Sequence, residues 1–174
     1  IICFQMNKTD RLHSAMMLLL PLVVAALVLT ACGGAKVATG DEQYARGEYF
    51  AAMKTYKKVY NKLKKKEQRP QRGEVAFKMG ECYRHMNMAA NASGAYRNAL
   101  RYAYPDSMAY LYLAQMLHME GKYNDAVKNY EAFLEKSPNN LLARDGMRGS
   151  RSAAQIKEKG SRYRVSAAKL FNSR

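Results

Sequence analysis

The stretch from Tyr110 to Asn140 constrains the fold most, because helical periodicity appears in it twice with a break between. Apolar residues recur at Tyr110, Leu113, Ala114 and Leu117, and again at Tyr123, Ala126, Val127, Tyr130, Phe133 and Leu134, the spacing of one helix face. Gly121, between the two runs, can take the positive φ that a tight helix-to-helix turn demands, and Pro138 cannot continue the second helix. A helical hairpin is predicted. Ala114 and Ala126 lack bulk where the helices would cross, while Leu117, Tyr130 and Phe133 can fill the space around them. Neither helix can bury its apolar stripe alone, so the hairpin needs neighbours.

The chain supplies them. Tyr110, Leu113, Ala114, Leu117, Gly121, Tyr123, Ala126, Tyr130, Phe133 and Pro138 stand at the spacings of a tetratricopeptide repeat, the 34-residue helix-turn-helix module, which this stretch resembles. Sliding back by one repeat places Gly80 under Ala114, Tyr83 under Leu117, Ala92 under Ala126, Tyr96 under Tyr130 and Ala99 under Phe133. This second copy, about Gly73 to Pro105, departs from the pattern at Ala76, where a large aromatic is usual, and at Asn87, where the turn glycine is usual. A third copy is visible as GEYFAAMKTYKKVY, with Gly47, Tyr49, Ala52, Tyr56 and Val59 in second-helix positions, and about six extra residues in the turn that follows it. After Pro138, Leu141 to Lys157 reads as a capping helix loosened by Gly146 and Gly149, with Arg144, Arg148 and Arg151 facing water. The resemblance implies an all-α fold, a helical-hairpin solenoid of about three repeats plus a C-terminal capping helix, with the repeat domain over 41–158.

Ahead of the repeats, Met6 is the expected start and residues 1–5 are read as upstream read-through. Lys8 and Arg11 precede an apolar run from Ala15 to Ala31, the basic and apolar regions of an export signal over 6–31. The run is short for a membrane span of about 20 residues, and Pro21 interrupts it. Leu29-Thr30-Ala31-Cys32-Gly33 resembles a bacterial lipobox, which implies cleavage before Cys32 and lipidation of Cys32; the alternative is an uncleaved anchor whose cysteine is incidental. Residues 32–40 are small and polar, suited to a flexible tether. They hold Lys36 and no acid before Asp41; resemblance to Bacteroidetes lipoproteins, in which surface export usually goes with acids just after the cysteine, implies the periplasmic face of an outer membrane. Beyond the repeats, 159–174 resembles the linker toward a β-propeller in OmpA-family lipoproteins of Bacteroidetes. A truncated chain is the expectation.

The formal net charge of +15 makes anionic partners conceivable but says nothing about fold. Much of it is concentrated between Lys54 and Arg72, where nine Lys or Arg face one acid, Glu67. The basic loop Lys62, Lys64, Lys65, Lys66, Arg69 and Arg72 reads either as a patch for nucleic acid or lipid headgroups, or as a solvated helix face running into an enlarged loop. Tyr56 and Tyr60 fall at packing spacing rather than forming a stacking platform, which favours the second reading, and no nucleic acid is expected.

No nucleophile with a base, phosphate loop or metal cluster is present, so the function is read as non-enzymatic and without cofactor. His85 and His118 lack further ligands at metal spacing. Cys82 reads as a small core residue, and the three cysteines make no disulfide framework. The repeat resemblance implies a partner groove lined by first helices: Glu74, Phe77, Glu81, Arg84 and His85, then Met108, Leu111, Gln115, His118 and Met119. Some such domains clamp a peptide carboxylate with Lys and Asn. Phe77, Glu81, Leu111 and Gln115 stand in those places here, so the groove is read as apolar and adaptable; the alternative is that these residues cover the core or pack on a following propeller. The resemblance to OmpA-family lipoproteins of Bacteroidetes implies a protein-protein scaffold of the type IX secretion machinery and its link to the cell wall. Its partners would be envelope proteins of that complex and the outer membrane through the lipid on Cys32. Peptidoglycan would be reached only through domains absent here. The alternatives are an outer-membrane assembly or uptake lipoprotein, and an accessory repeat domain of a truncated envelope hydrolase.

Overall fold

The computed structural model describes residues 36–160. The export signal, Cys32 and the linker 161–174 lie outside the described residues. Seven α-helices follow one another: α1 over 36–45, α2 Tyr49–Lys62, α3 Arg69–His85, α4 Ala89–Arg101, α5 Met108–Met119, α6 Tyr123–Leu134 and α7 Leu141–Lys159. From α2 onward each helix packs chiefly on its neighbours in sequence. That is a quasi-linear solenoid of three hairpins and a final helix, in which each unit buries the stripe its neighbour exposes.

The repeat register explains the core. Ala52, Ala92 and Ala126, one per second helix, are all fully buried, and the large side chains Tyr56, Tyr96, Leu117 and Phe133 close around them. Within-hairpin turns end α1, α3 and α5 alike. Gly47, Asn87 and Gly121 have φ of 77, 56 and 71°, and the next amide reaches back to Gln43, Tyr83 and Leu117 respectively. This left-handed closure favours glycine. Asparagine tolerates the same region, which is why the departure at Asn87 leaves the turn intact.

Two boundaries differ from those expected. The tether was expected to run to Gly40, but helix starts by residue 36 and Gly40 is buried. A Cβ on Gly40 would stand 2.5 Å from the Tyr56 ring. The missing side chain of Gly40 therefore serves a close helix crossing. Between the first two hairpins, the added residues form a single 3-10 turn, Lys66–Gln68, and an extra opening turn on α3, with Leu63 buried beneath them.

Helix α7 is held by polar contacts. Asn140 Oδ1 accepts from Ala143 N at 2.9 Å, Arg151 pairs with Glu131 at 2.7 Å, and Lys157 Nζ donates to Gly121 O at 3.1 Å. Its outer face is less polar than a water-facing cap would be, since Leu141, Leu142 and Ile156 are exposed.

Candidate partner-binding groove

Two adjoining recesses meet at Lys78. The narrower, of about 260 Å³, is lined by Asp41, Tyr44, Tyr56, Lys78 and Glu81; the wider, of about 540 Å³, by Pro70, Glu74, Phe77, Tyr104 and their neighbours. Both lie along α3, one toward α1 and the other toward the α4–α5 connection.

A polar device recurs beneath them. The Tyr56 hydroxyl donates to Asp41 at 2.6 Å, and the Tyr96 hydroxyl donates to Glu81. In each hairpin the acid follows a glycine, Gly40 or Gly80, whose missing Cβ makes room for that same tyrosine ring. Cations then link the hairpins. Lys78 Nζ donates to both oxygens of Asp41, at 2.7 and 2.9 Å, and lies 3.3 Å from Glu74. Arg84 forks onto Glu81 at 3.2 and 2.7 Å and lies over the Tyr112 ring, 4.6 Å from its centroid.

These contacts set the protonation of the groove. Burial, followed by the Glu81 charge, pushes Tyr44 up to about 12. Burial and then the bond to Asp41 raise Tyr56, and burial and then the bond to Glu81 raise Tyr96. The tyrosines are thus fixed as neutral donors. Cys82 is fully buried and its thiol is pushed up to about 12 by desolvation, which leaves it unreactive.

What stays open to a partner is aromatic. Phe77 stacks on Tyr104 with centroids 4.5 Å apart and lies near Tyr96 and Tyr112; Phe77, Tyr104 and Tyr112 are each only partly buried.

Of the residues expected to line the groove, Glu74, Phe77 and Glu81 line these recesses and Arg84 braces their floor. Leu111 is a correction: at 1% exposure it belongs to the core, because α5 is enclosed by α4, α6 and α7. His118 serves the cap. The buried Ser150 donates to Gly146 O at 2.8 Å and its oxygen lies 2.7 Å from His118 Nδ1, so with the hydroxyl proton committed the imidazole donates there. His85 stacks on Tyr49 at 4.4 Å. Met108 and Gln115 are half-buried and Met119 is 57% exposed, but these three line neither recess. Asp41, Tyr44 and Lys78 were missed. Their signal was the pair Gly40-Asp41 fifteen residues before Tyr56, repeated as Gly80-Glu81 before Tyr96. Among the described residues no three His, Cys, Asp or Glu converge as metal ligands would.

In the basic loop, Lys62, Lys64, Lys65, Lys66 and Arg69 are exposed. Arg72 is a second correction. Its guanidinium lies between Tyr60 and Tyr102, 4.4 and 5.0 Å from their centroids, with Nε buried and unpaired, so it pins α3 to α2 and α4 and is not part of the open loop.

Residues 74–107 and 108–140, the α3–α4 and α5–α6 hairpins, match the family model "Tetratricopeptide repeat". The fold is a tetratricopeptide-repeat (TPR) array. The first hairpin lies outside the family match yet repeats the same turn and the same tyrosine-acid bond. Among solved structures, the chain is similar to the first TPR of Spaghetti (RPAP3) bound to the HSP90 peptide SRMEEVD, at 21% identity and TM-score 0.60, over 71% of this chain and 93% of that one. It is similar to the first TPR domain of human RPAP3, at 22% and 0.59, over 74% and 97%. The Sgt2 TPR domain from Aspergillus fumigatus is similar at 16% and 0.57, over 80% and 93%. At these identities the likeness is one of fold. No curated protein matches the chain in sequence. TPR domains are non-catalytic protein-interaction modules, and among the described residues no helix is long and apolar enough to cross a membrane.

Proposed function

We propose that this TPR array is a non-enzymatic scaffold, lipid-anchored through Cys32 to the periplasmic face of an outer membrane. Its groove holds an extended, largely apolar segment of another envelope protein. The observation that supports this most is the pairing inside the groove: Asp41, Glu74, Glu81, Lys78 and Arg84 bind one another, while the rings of Phe77, Tyr104 and Tyr112 stay partly open. A partner therefore gains little from its charges and more from apolar anchors, which usually dominate an interface. An acidic terminus such as the SRMEEVD peptide held by the Spaghetti domain would meet Phe77 and Glu81 where clamping cations would be needed. The lipobox and the linker-like 159–174 favour a place in the type IX secretion machinery and its link to the cell wall. The assembly, uptake and hydrolase-accessory readings share the scaffold role and differ in the partner.

The test is capture from envelope extract by the full chain, with Phe77→Ala plus Tyr104→Ala as the groove variant, circular dichroism confirming its fold. The parent should retain secretion-machinery proteins at low and moderate salt, and the groove variant should lose them at both. Mass spectrometry of the mature protein should find a diacylated Cys32. Undiminished capture by the folded groove variant would remove the groove from the reading, and an intact terminus at Met6 would remove the anchor.

A further inference from the structure

The basic edge is built from two places in the sequence. Lys36, where the described chain begins, lies against the side chain of Lys62 at the far end of α2, because α1 and α2 form a hairpin. The neighbouring Lys36 and then Lys58 hold Lys62 below its ordinary pKa. Lys64, Lys66 and Arg69 continue the edge into the loop, all exposed, and none of these six cations forms an ion pair with a described residue. A fold that pairs its groove charges so fully leaves this cluster of like charge without an ion-pair partner among the described residues.

We infer that this edge docks on the anionic phospholipid headgroups of the membrane that anchors the chain, and so sets how the groove is presented. The placement rests on the anchored reading above. Three residues lie between Cys32 and Lys36, and even fully extended the four steps span roughly 14 Å, so a lipid on Cys32 would hold this edge near the bilayer surface. There each lysine adds attraction to an anionic leaflet. Nucleic acid fits less well. The adjoining rings, Tyr60 and Tyr102, are taken up by Arg72, so neither is free to stack on a base.

The test is partition of the full chain onto vesicles of phosphatidylcholine alone and of phosphatidylcholine mixed with phosphatidylglycerol. At low salt the parent should bind the anionic vesicles at least about tenfold more tightly, and the advantage should fade as salt is added. Lys62→Gln, Lys64→Gln and Lys66→Gln together should abolish most of it. A charge-matched variant, Lys128→Gln with Lys136→Gln and Lys159→Gln, should keep it. Equal parent binding to both vesicles would overturn the inference, as would equal losses in the two variants or displacement of the parent by an oligonucleotide at matched phosphate. Binding to neutral vesicles separates the two readings: if it persists without anionic preference, docking fails and anchoring stands, and the reverse result removes anchoring alone.

Discussion

The groove along α3 and the basic edge at the end of α2 are both rich in charge, but they use it in opposite ways. In the groove, Asp41 takes Tyr56 and Lys78, Glu81 takes Tyr96 and Arg84, and the cations tie one hairpin to the next. At the edge, Lys36 lies against Lys62 and Glu67 is the sole acid among nine cations from Lys54 to Arg72. The first set fastens the solenoid, because each of its charges has a partner of opposite sign. Apart from Arg72, held between Tyr60 and Tyr102, the second forms no ion pair with a described residue. Charge that is paired and shielded builds structure, and charge left crowded and wet is available for encounter.

The largest way to break this comparison is to remove a groove tyrosine. Tyr96→Ala would empty a fully buried site and free Glu81, at a cost of about 3 to 5 kcal/mol judged from large-to-small core changes. Tyr96→Phe keeps the ring and loses only the hydroxyl bond, about 1 kcal/mol. Urea melts would give both, and the gap between them separates ring packing from the hydrogen bond. Should Phe cost as much as Ala, the polar ladder outweighs the packing and the account of Gly80 as a ring-making gap must be revised.

Raising the pH probes both regions at once. Tyr44 and Cys82 each stand at about 12, above ordinary values of 10.0 and 9.0, with burial the main cause. A group whose folded pKa is raised contributes stability below its unfolded pKa and loses it as pH climbs through the folded value. The groove should therefore weaken progressively from about pH 9 to about pH 12. Lys62 runs the other way: its folded pKa is lowered by Lys36, so losing its proton relieves repulsion. Melting temperatures across that range should fall, since the groove groups are the more strongly shifted, and Tyr44→Phe with Cys82→Ala should lessen the decline without abolishing it, because Tyr56 and Tyr96 are raised as well. A profile that is flat to about pH 11 would mean that these groups are solvated in the folded state.

Much of the fold was legible because TPR identity is written in small residues at fixed intervals. Ala52, Ala92 and Ala126 can be aligned without knowing what they touch. The groove was less legible because its acids act through partners fifteen residues away, and one of them, Asp41, directly follows what composition alone reads as a tether. Gly40 is ambiguous by itself: the same residue suits a spacer or a close crossing, and only Tyr56 opposite decides. Leu111 failed for a different reason. Repeat position predicts which way a side chain points but not what covers it, and Leu111 is covered down to 1% exposure. Arg72 could not be separated from its basic neighbours by charge, since the rings of Tyr60 and Tyr102 that claim it come from two other helices.

The smallest effect sharpens the comparison most. If the edge lysines contribute nothing to folding, Lys62→Gln should leave the melting temperature unchanged or raise it slightly at low salt, because it removes repulsion from Lys36 and Lys58. The difference from the parent should shrink as salt is added, since exposed charges are screened over about 8 Å at physiological ionic strength. The matching change in the groove, Lys78→Gln, should instead lower the melting temperature at every salt concentration. It leaves Asp41 and Glu74 facing each other without the cation that joins them, in a recess where screening is weaker. Differential scanning calorimetry of the two variants beside the parent, in low and high salt, resolves the signs. A fall for Lys62→Gln would show that this lysine has a partner within the folded chain, and the edge would then be another fastening of the solenoid with no charge to spare for a membrane.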